Sequence, residues 1–195
     1  MDYALDNFVK DLRSAVSAPL SQTDVLDRVK PLVERLARSR SWVRPEHYEC
    51  DPEQGFGVHL LHEEPDHSLW VVAVAWLPQR GAPPHNHGTW AVVAGVDGVE
   101  KNVLWRHRGA RLEPQGSETL GSGQVAAFLG NAIHSVANEG DRTTLSLHVY
   151  GRNLNLVAER SRFDPETGVK APFKLRLQQA AGDSPSVLVG RGVTG

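Results

Sequence analysis

Apolar residues at helical spacing open the chain. Leu5, Phe8, Val9 and Leu12 recur every three to four positions until Pro19, which predicts an amphipathic helix ahead of the proline. A second run follows Ser21-Gln22-Thr23-Asp24, where Ser and Asp three residues apart resemble a capping box. Its apolar positions are Val25, Leu26, Val29, Leu32, Val33 and Leu36. We expect helices over residues 1–40, packed on a larger body, with Pro31 kinking the second helix or marking its true beginning.

From Ser41 the pattern changes to short β-type runs separated by turn residues. The predicted strands are Gly57–His62, Leu69–Leu77, Trp90–Val96, Lys101–Trp105, Gln124–Phe128 and Thr143–Tyr150. Clusters of Gly, Pro, Asn and Asp predict breaks between them, including residues 81–84 and 114–116. Many short strands without intervening helices indicate an antiparallel sandwich or small barrel. We therefore expect a mainly β domain over 41–180 and a Gly-, Ser- and Pro-rich tail over 181–195.

Composition narrows the possible partners and the compartment. The 195 residues include 21 basic and 23 acidic side chains, a net charge of -2 that gives no reason to expect nucleic acid or a membrane surface as a partner. Cys50 is the single cysteine, so no intrachain disulfide forms and a reducing, cytoplasmic location is expected. The N-terminus has early acids and no long apolar core, and no run of 18 apolar residues follows. We expect a soluble protein, monomeric or a small homo-oligomer.

Two histidines in Pro84-His85-Asn86-His87 have the spacing of a metal half-site. In an extended strand, side chains at i and i+2 leave on the same face, so both imidazoles can bind one ion. His134 follows 47 residues after His87, at the end of another predicted strand. The His pair alone is equally compatible with a surface pair of histidines. With His134 it predicts a site for a first-row transition metal.

A second polar set lies on the last predicted strand. Strict alternation in Thr144-Leu145-Ser146-Leu147-His148-Val149-Tyr150 places Ser146, His148 and Tyr150 on one face. A hydroxyl, an imidazole and a phenol in a row can form a hydrogen-bond relay. From the alternation alone, a polar strand face turned to solvent is the alternative interpretation.

The histidine pattern resembles the cupin superfamily, whose first motif carries HxH and a later Gly and whose second carries a lone His followed by Asn. Gly98, His134 and Asn138 fit, whereas Leu129 and Asn131 replace the Pro and second Gly that usually precede the last ligand. Ala91 and Val92 occupy the places of the acidic ligand. The resemblance implies a double-stranded β-helix, a jelly-roll-like small barrel, with a three-histidine site. Three neutral ligands leave the divalent charge available to anions and thiolates.

Together the motifs PPHNHGTW, the lone His134 and SLHVYG resemble the cysteine dioxygenase family of thiol dioxygenases, over residues 48–163. These cupins oxidise a small thiol to its sulfinic acid with non-haem iron(II) and dioxygen. The resemblance implies Fe(II) as cofactor, bound by His85, His87 and His134. It implies an outer relay of Tyr150, oriented by His148, which is oriented by Ser146.

Differences within that family concern the substrate. Val92 stands where the mammalian type has a crosslinking Cys, and His59 stands where that type has an Arg and the bacterial 3-mercaptopropionate dioxygenases usually have Gln. Gly88-Thr89-Trp90 is closer to the mercaptopropionate branch, in which an Arg downstream of the relay Tyr holds the carboxylate. Arg160 and Arg162 are the candidates, since a guanidinium grips a carboxylate bidentately. Either could instead be a surface Arg near a strand end.

The resemblance therefore predicts an iron(II)-dependent dioxygenase of a small thiol bearing a carboxylate, such as 3-mercaptopropionate. Arg160, Arg162 and His59 are the candidates for binding the carboxylate, and Trp90 could form a wall of the pocket, although core packing explains it as well. Cysteine or mercaptosuccinate is the alternative substrate. A cupin that binds a metal or small acid without turnover is the alternative from another functional class, because a fold does not fix a function.

Overall fold

The computed structural model describes residues 3–178, so the predicted tail over 181–195 lies outside the described residues. Two α-helices precede the β-strands: α1 is Leu5–Ala15 and α2 is Gln22–Ser39. The strands, in chain order from β1 to β11, are Phe56–Glu63, Trp70–Trp76, Gly81–His85, Ala91–Asp97, Glu100–Arg108, Arg111–Leu120, Val125–Phe128, Ile133–Ala137, Thr144–Tyr150, Ser161–Phe163 and Lys170–Pro172. Short 3-10 turns cover Pro45–Tyr48 and Leu154–Leu156. None of the helices in this range is both long and apolar enough to cross a membrane.

The strands form two antiparallel sheets with jelly-roll connectivity. One sheet has the order β1-β2-β9-β4-β7 and the other β11-β10-β3-β8-β5-β6. The four-strand series 2-9-4-7 and 3-8-5-6 are the two halves of a double-stranded β-helix, which arises when a chain winds eight strands alternately between two sheets. The mainly β, cupin-type fold expected from the sequence is confirmed. Apolar side chains of both sheets meet in a shared core that includes Val72, Val93 and Val136.

The N-terminal helices cover the outer face of the first sheet. Helix α2 contacts β4, β7 and β9, and α1 packs on α2. The predicted cap is present, since Ser21 Oγ accepts the Asp24 backbone N–H at 3.2 Å. The expectation that Pro31 marks a later start is wrong, because α2 begins at Gln22 and contains Pro31. An interior proline costs about 3 kcal/mol, and several buried side chains on the opposite side of α2, at roughly 1.5–3 kcal/mol each, outweigh it.

Strand β9 lies in the middle of the first sheet and is buried on both faces. Leu145, Leu147 and Val149 point into the apolar cluster under the helices. The alternate residues point into the interior between the sheets, so the polar face predicted for this strand is buried rather than turned to solvent. A central strand with one apolar and one polar buried face requires that every polar group finds a partner.

Two predicted breaks are strands in the structure. Strand β3 includes Pro83 and Pro84, which lie where its register with β8 is irregular between Ala82 and His85. Strand β6 includes Pro114, at a register shift opposite Trp105. Proline cannot donate to a ladder and is tolerated at bulges and on edge strands, and β6 is an edge strand. Turn-forming residues therefore marked irregularities within strands rather than strand ends.

Candidate metal centre

Three buried histidines converge between the sheets. His85 is the last residue of β3, His87 follows in the connection to β4, and His134 lies on β8 directly opposite His85 in the strand register. One ring nitrogen of each lies within 4.8 Å of those of the other two. The two histidines of the HxH motif thus meet at one point, although the strand ends at the first of them. Within residues 3–178 no Asp or Glu joins this cluster.

Hydrogen bonds orient two of the imidazoles. The Nδ1 atom of His85 lies 2.9 Å from the Pro83 carbonyl oxygen, and that of His134 lies 3.0 Å from Asn102 Oδ1. Because these oxygens only accept, each Nδ1 carries the proton and leaves the Nε2 lone pair for a metal. The Nε2 atoms of His134 and His87 are 3.1 Å apart. Two ligands at about 2.1 Å from one ion and at right angles would be about 3 Å apart, so the spacing fits a metal site.

Burial keeps these histidines in their metal-binding form. It lowers the pKa of His85 and His87 well below the ordinary value, with nearby His134 as the next cause. It lowers the pKa of His134 to about 3, with Arg160 as the second cause. Neutral imidazole is the form that binds metals, so protons do not compete for this site near neutral pH.

The polar face of β9 forms the expected chain of hydrogen bonds. The Ser146 hydroxyl lies 2.9 Å from His148 Nε2, and His148 Nδ1 lies 2.8 Å from the Tyr150 hydroxyl. The Trp76 indole N–H donates to Ser146 Oγ at 3.3 Å. Burial lowers the pKa of His148 to about 3, with His134 as the second cause, and burial raises the pKa of Tyr150. The imidazole and phenol are therefore both neutral at pH 7.

One cavity brings the histidines and the relay together. It is lined by His85, His87, His134, His148, Tyr150 and Arg160 together with apolar side chains from both sheets and from Phe173 and Leu175. Its volume is about 20 Å³, which is room for about one water molecule or one metal ion. The structure thus places the three predicted metal ligands and two of the relay residues, His148 and Tyr150, around the same small cavity.

Arg160 is the cation that lines this cavity. It precedes β10 and only 3% of its surface is exposed. Its Nη1 donates to the Phe173 carbonyl, and its guanidinium carbon lies 4.3 Å from the centre of the Phe173 ring. Its Nε has no partner, and no carboxylate pairs with it, within the described part of the chain. Burial lowers the pKa of Arg160 to about 10, which leaves it charged at pH 7.

Three other side chains considered for substrate binding do not line the cavity. Arg162 lies on the exposed side of β10, because it alternates with the buried Ser161 and Phe163. His59 points to the opposite face of β1 from Val58 and binds the Glu49 carbonyl at 2.9 Å. Trp90 packs in the apolar cluster under the helices. The geometry therefore supports Arg160 and does not support Arg162, His59 or Trp90 as substrate-binding residues.

Four residues near the site were missed from the sequence. Glu100 and Asn102 are buried on β5, and their i, i+2 spacing on one strand face was the available signal. Phe173 and Leu175 line the cavity from a segment that follows residues 48–163, the part of the chain that resembles the thiol dioxygenases, so no local pattern indicated them.

Comparison with known proteins finds similarity of fold alone. No family model matches the chain. An oxalate oxidase is 18% identical over 51% of this chain and 52% of its own, with a TM-score of 0.43, so the chain spans about half of that protein. KdgF from Halomonas sp. is 16% identical over 58% of this chain and 94% of its own, with a TM-score of 0.45. An uncharacterised double-stranded β-helix protein from Klebsiella pneumoniae is 14% identical over 67% and 95%, with a TM-score of 0.44. The chain is a cupin-type β-barrel with a candidate three-histidine metal site.

Proposed function

We propose that the protein is an iron(II)-dependent thiol dioxygenase that converts a small thiol bearing one carboxylate, of the 3-mercaptopropionate type, to its sulfinic acid. The observation that carries the proposal is the buried Arg160, which lines one cavity together with the three histidines and Tyr150. A buried charge is unfavourable unless an opposite charge pairs with it. Arg160 lacks a carboxylate partner among the described residues, so a carboxylate ligand would supply the missing charge.

The donor set fits the proposed metal. His85, His87 and His134 would hold iron(II) through neutral nitrogen, a ligand type suited to iron among other first-row metals. When bound, the metal would supply open positions for a thiolate and the redox chemistry that joins both atoms of dioxygen to sulfur. Asn102 keeps the ring of His134 oriented for this purpose through the bond at its Nδ1.

The other residues of the site would bind the substrate and orient the Tyr150 hydroxyl. Arg160 would grip the substrate carboxylate and so fix the distance between that end and the thiol. Tyr150 lines the cavity, and its hydroxyl would donate a hydrogen bond to the sulfur or oxygen atoms beside the histidines. His148 and Ser146 hold the phenol in place through bonds of 2.8 and 2.9 Å. The apolar walls exclude water, which strengthens each of these polar contacts.

The charges of the cavity favour a substrate with one carboxylate and no amine. Arg160 is the one Lys or Arg among the described lining residues, so a second carboxylate, as in mercaptosuccinate, finds no second cation. No acidic side chain lines the described cavity to pair with the ammonium group of cysteine. We therefore rank 3-mercaptopropionate above both alternatives.

The size of the cavity favours a second candidate function, metal binding without turnover. A volume of about 20 Å³ is too small for a three-carbon thiol. Phe173 and Leu175 line this space and the Phe173 carbonyl accepts from Arg160, so turnover would need both residues to make room for the substrate. A protein that merely stores or senses a metal needs no such movement.

Anaerobic loading with Fe(II), followed by oxygen uptake and sulfinate assays with 3-mercaptopropionate, cysteine and mercaptosuccinate, separates these functions. The Zn(II)-loaded protein is the control for uncatalysed oxidation. We expect sulfinate formation with the highest kcat/KM for 3-mercaptopropionate. Stoichiometric iron without oxygen uptake from any thiol would overturn the dioxygenase proposal and favour the binding function.

A further inference from the structure

The chain after β11 forms the outer wall of the metal cavity. Residues 173–178, which we call the strap, follow that strand without forming a helix or a strand of their own. Phe173 and Leu175 of the strap line the cavity. The centre of the Phe173 ring lies 5.1 Å from the centre of the His85 ring. The strap therefore covers one of the three candidate metal ligands.

An open surface depression of about 430 Å³ adjoins the strap. Phe56 and Phe173 line this depression as well as the metal cavity, so these two residues form a partition between the two spaces. The cavity itself, at about 20 Å³, has room for about one water molecule or one metal ion. A larger ligand can reach the histidines from the depression only if part of this partition moves.

Two side-chain amides hold the strap in place. Asn155 Oδ1 accepts the Leu175 N–H at 2.9 Å, and Asn155 Nδ2 donates to the Leu175 carbonyl at 3.0 Å. Gln54 makes the same pair of bonds to Arg176, at 3.0 Å to the N–H and 3.3 Å to the carbonyl. The Lys174 ammonium adds a bond to the Asn155 carbonyl. Asn155 and Gln54, the two amide clamps, thus take the place of a neighbouring strand.

The other attachments of the strap are few. Among the described residues, its one backbone–backbone hydrogen bond joins the Gln178 N–H to the Val58 carbonyl at 2.8 Å. The Arg176 side chain pairs with Asp51 and Glu53 at 2.8 and 3.0 Å, but it is half exposed, and ion pairs in water contribute little to stability. Strand β9, in contrast, is paired with β2 and β4 along its length. A segment with so few backbone bonds can open locally while the paired strands stay folded.

We propose that the strap is a gate between the depression and the metal cavity, held closed by Asn155 and Gln54. It lifts while the barrel stays folded, Phe173 leaves the partition, and small ligands reach the three histidines from the depression. Arg160 stabilises the closed form, because it donates to the Phe173 carbonyl. That a substrate carboxylate at Arg160 competes with this bond rests on the proposed function. The opening does not, since it admits any small ligand of the metal.

Native-state hydrogen exchange in the full-length, Zn(II)-loaded protein measures the opening directly. The Leu175 and Arg176 amides are donated to the two clamps, and we expect both to exchange faster than the amides of β9. Asn155→Ala should also speed exchange at Arg176, and Gln54→Ala at Leu175, because the strap opens as one unit. The loss of one or two net hydrogen bonds implies about 5- to 30-fold in each case.

Gln124→Ala is the matched control for these variants. Gln124 is exposed, and its side-chain oxygen accepts the Gly121 N–H at 2.7 Å in a turn that does not touch the strap, so the variant should exchange like the wild type. Exchange of the strap amides only together with those of β9 would overturn the proposal. So would clamp variants that each affect only the amide they bind.

Azide binding to the Co(II)-loaded protein, followed by the visible spectrum of the metal in stopped flow, tests whether the strap controls access. We expect association to be about 5- to 30-fold faster in Asn155→Ala and in Gln54→Ala, and unchanged in Gln124→Ala. Phe173→Ala opens the partition, so adding Asn155→Ala to it should give no further increase.

Two results of the azide experiment would overturn the gate. One is an unchanged association rate in clamp variants whose strap amides exchange faster. The other is a Co(II) spectrum that azide does not alter in any variant, Phe173→Ala included. Neither hydrogen exchange nor azide binding needs thiol oxidation, so failure of the dioxygenase assay leaves this inference standing, and the reverse also holds.

Discussion

Replacing Arg160 with Met should strongly weaken substrate binding while leaving the folded protein at least as stable. Methionine has an unbranched apolar side chain, and the substitution removes the guanidinium that lies over the Phe173 ring, a cation without a carboxylate partner in the described chain. Burial lowers the pKa of Arg160 from 12.5 to about 10, and at 1.36 kcal/mol per unit this corresponds to about 3 kcal/mol of unfavourable desolvation in the ligand-free protein. Loss of the hydrogen bond to the Phe173 carbonyl and of the cation–π contact with the Phe173 ring offsets roughly 2 kcal/mol of the gain.

The same substitution should weaken substrate binding, although it does not destabilise the folded protein. Removing one partner of a buried, hydrogen-bonded charge pair costs about 2–5 kcal/mol, which is a loss in kcat/KM of roughly 30-fold to several-thousand-fold. Arg162→Met is the matched control, because it is two residues away on the exposed side of β10. We expect it to retain the wild-type kcat/KM.

Oxygen uptake in the Fe(II)-loaded proteins and thermal unfolding of the Zn(II)-loaded proteins measure the two effects separately. In the wild type, 3-mercaptopropionate should raise Tm with its concentration, as any ligand that binds the folded state alone does. In Arg160→Met the Tm without ligand should not fall and the ligand-induced rise should vanish. Equal losses in Arg160→Met and Arg162→Met, or an unchanged KM in Arg160→Met, would refute the assignment of the carboxylate site.

Four further variants test the relay, the metal site and the buried carboxyl of Glu100. Tyr150→Phe should keep its iron but lose about 100-fold or more in kcat, since it removes the hydroxyl from the cavity; metal analysis and oxygen uptake check both parts. Asn102→Ala should weaken metal binding roughly 10- to 100-fold in chelator competition, whereas His134→Ala should lose the metal. Glu100→Gln should be more stable than the wild type in urea above about pH 8. Because the folded state binds the Glu100 proton more tightly, with a pKa of about 8 against 4.5, that advantage should shrink as the pH falls towards 4.5.

Alternating and helical patterns were sufficient to predict two N-terminal helices and a mainly β domain, whereas the expectation of a double-stranded β-helix came from the resemblance of the histidine motifs. The i, i+3, i+4 spacing gave both helices, and the period-2 runs gave six of the strands within two or three residues at most ends. The relay residues followed from alternation because strand geometry admits one arrangement of successive side chains. Alternation could not decide whether that face was buried. That depended on the second sheet lying opposite β9, which is a property of the whole topology.

The sequence predicted less well which residues lie where the substrate carboxylate would bind. Arg160 and Arg162 are two residues apart and looked equivalent, but β10 begins at Ser161, so the strand alternation that turns Arg162 outward does not apply to Arg160. Counting without gaps placed His59 in the carboxylate position, whereas the structure turns it to the outer face of β1. Phe173 escaped notice because its position depends on how the chain returns over the cavity after β11. Contacts of this kind depend on long-range packing and leave no local pattern.

The N-terminal helices affect the pKa values of the site, although they contribute no side chain to it. Leu147 and Val149, which flank His148 on the opposite face of β9, would meet water if the helices were absent. Helix α2 excludes water from that face of β9, and the apolar interior between the sheets excludes it from the other. This low-dielectric setting lowers the pKa of His148 to about 3 and raises that of Glu100 to about 8. The neutral imidazole of the relay and the un-ionised carboxyl of Glu100 at pH 7 therefore follow from a barrel covered by helices rather than from these residues alone.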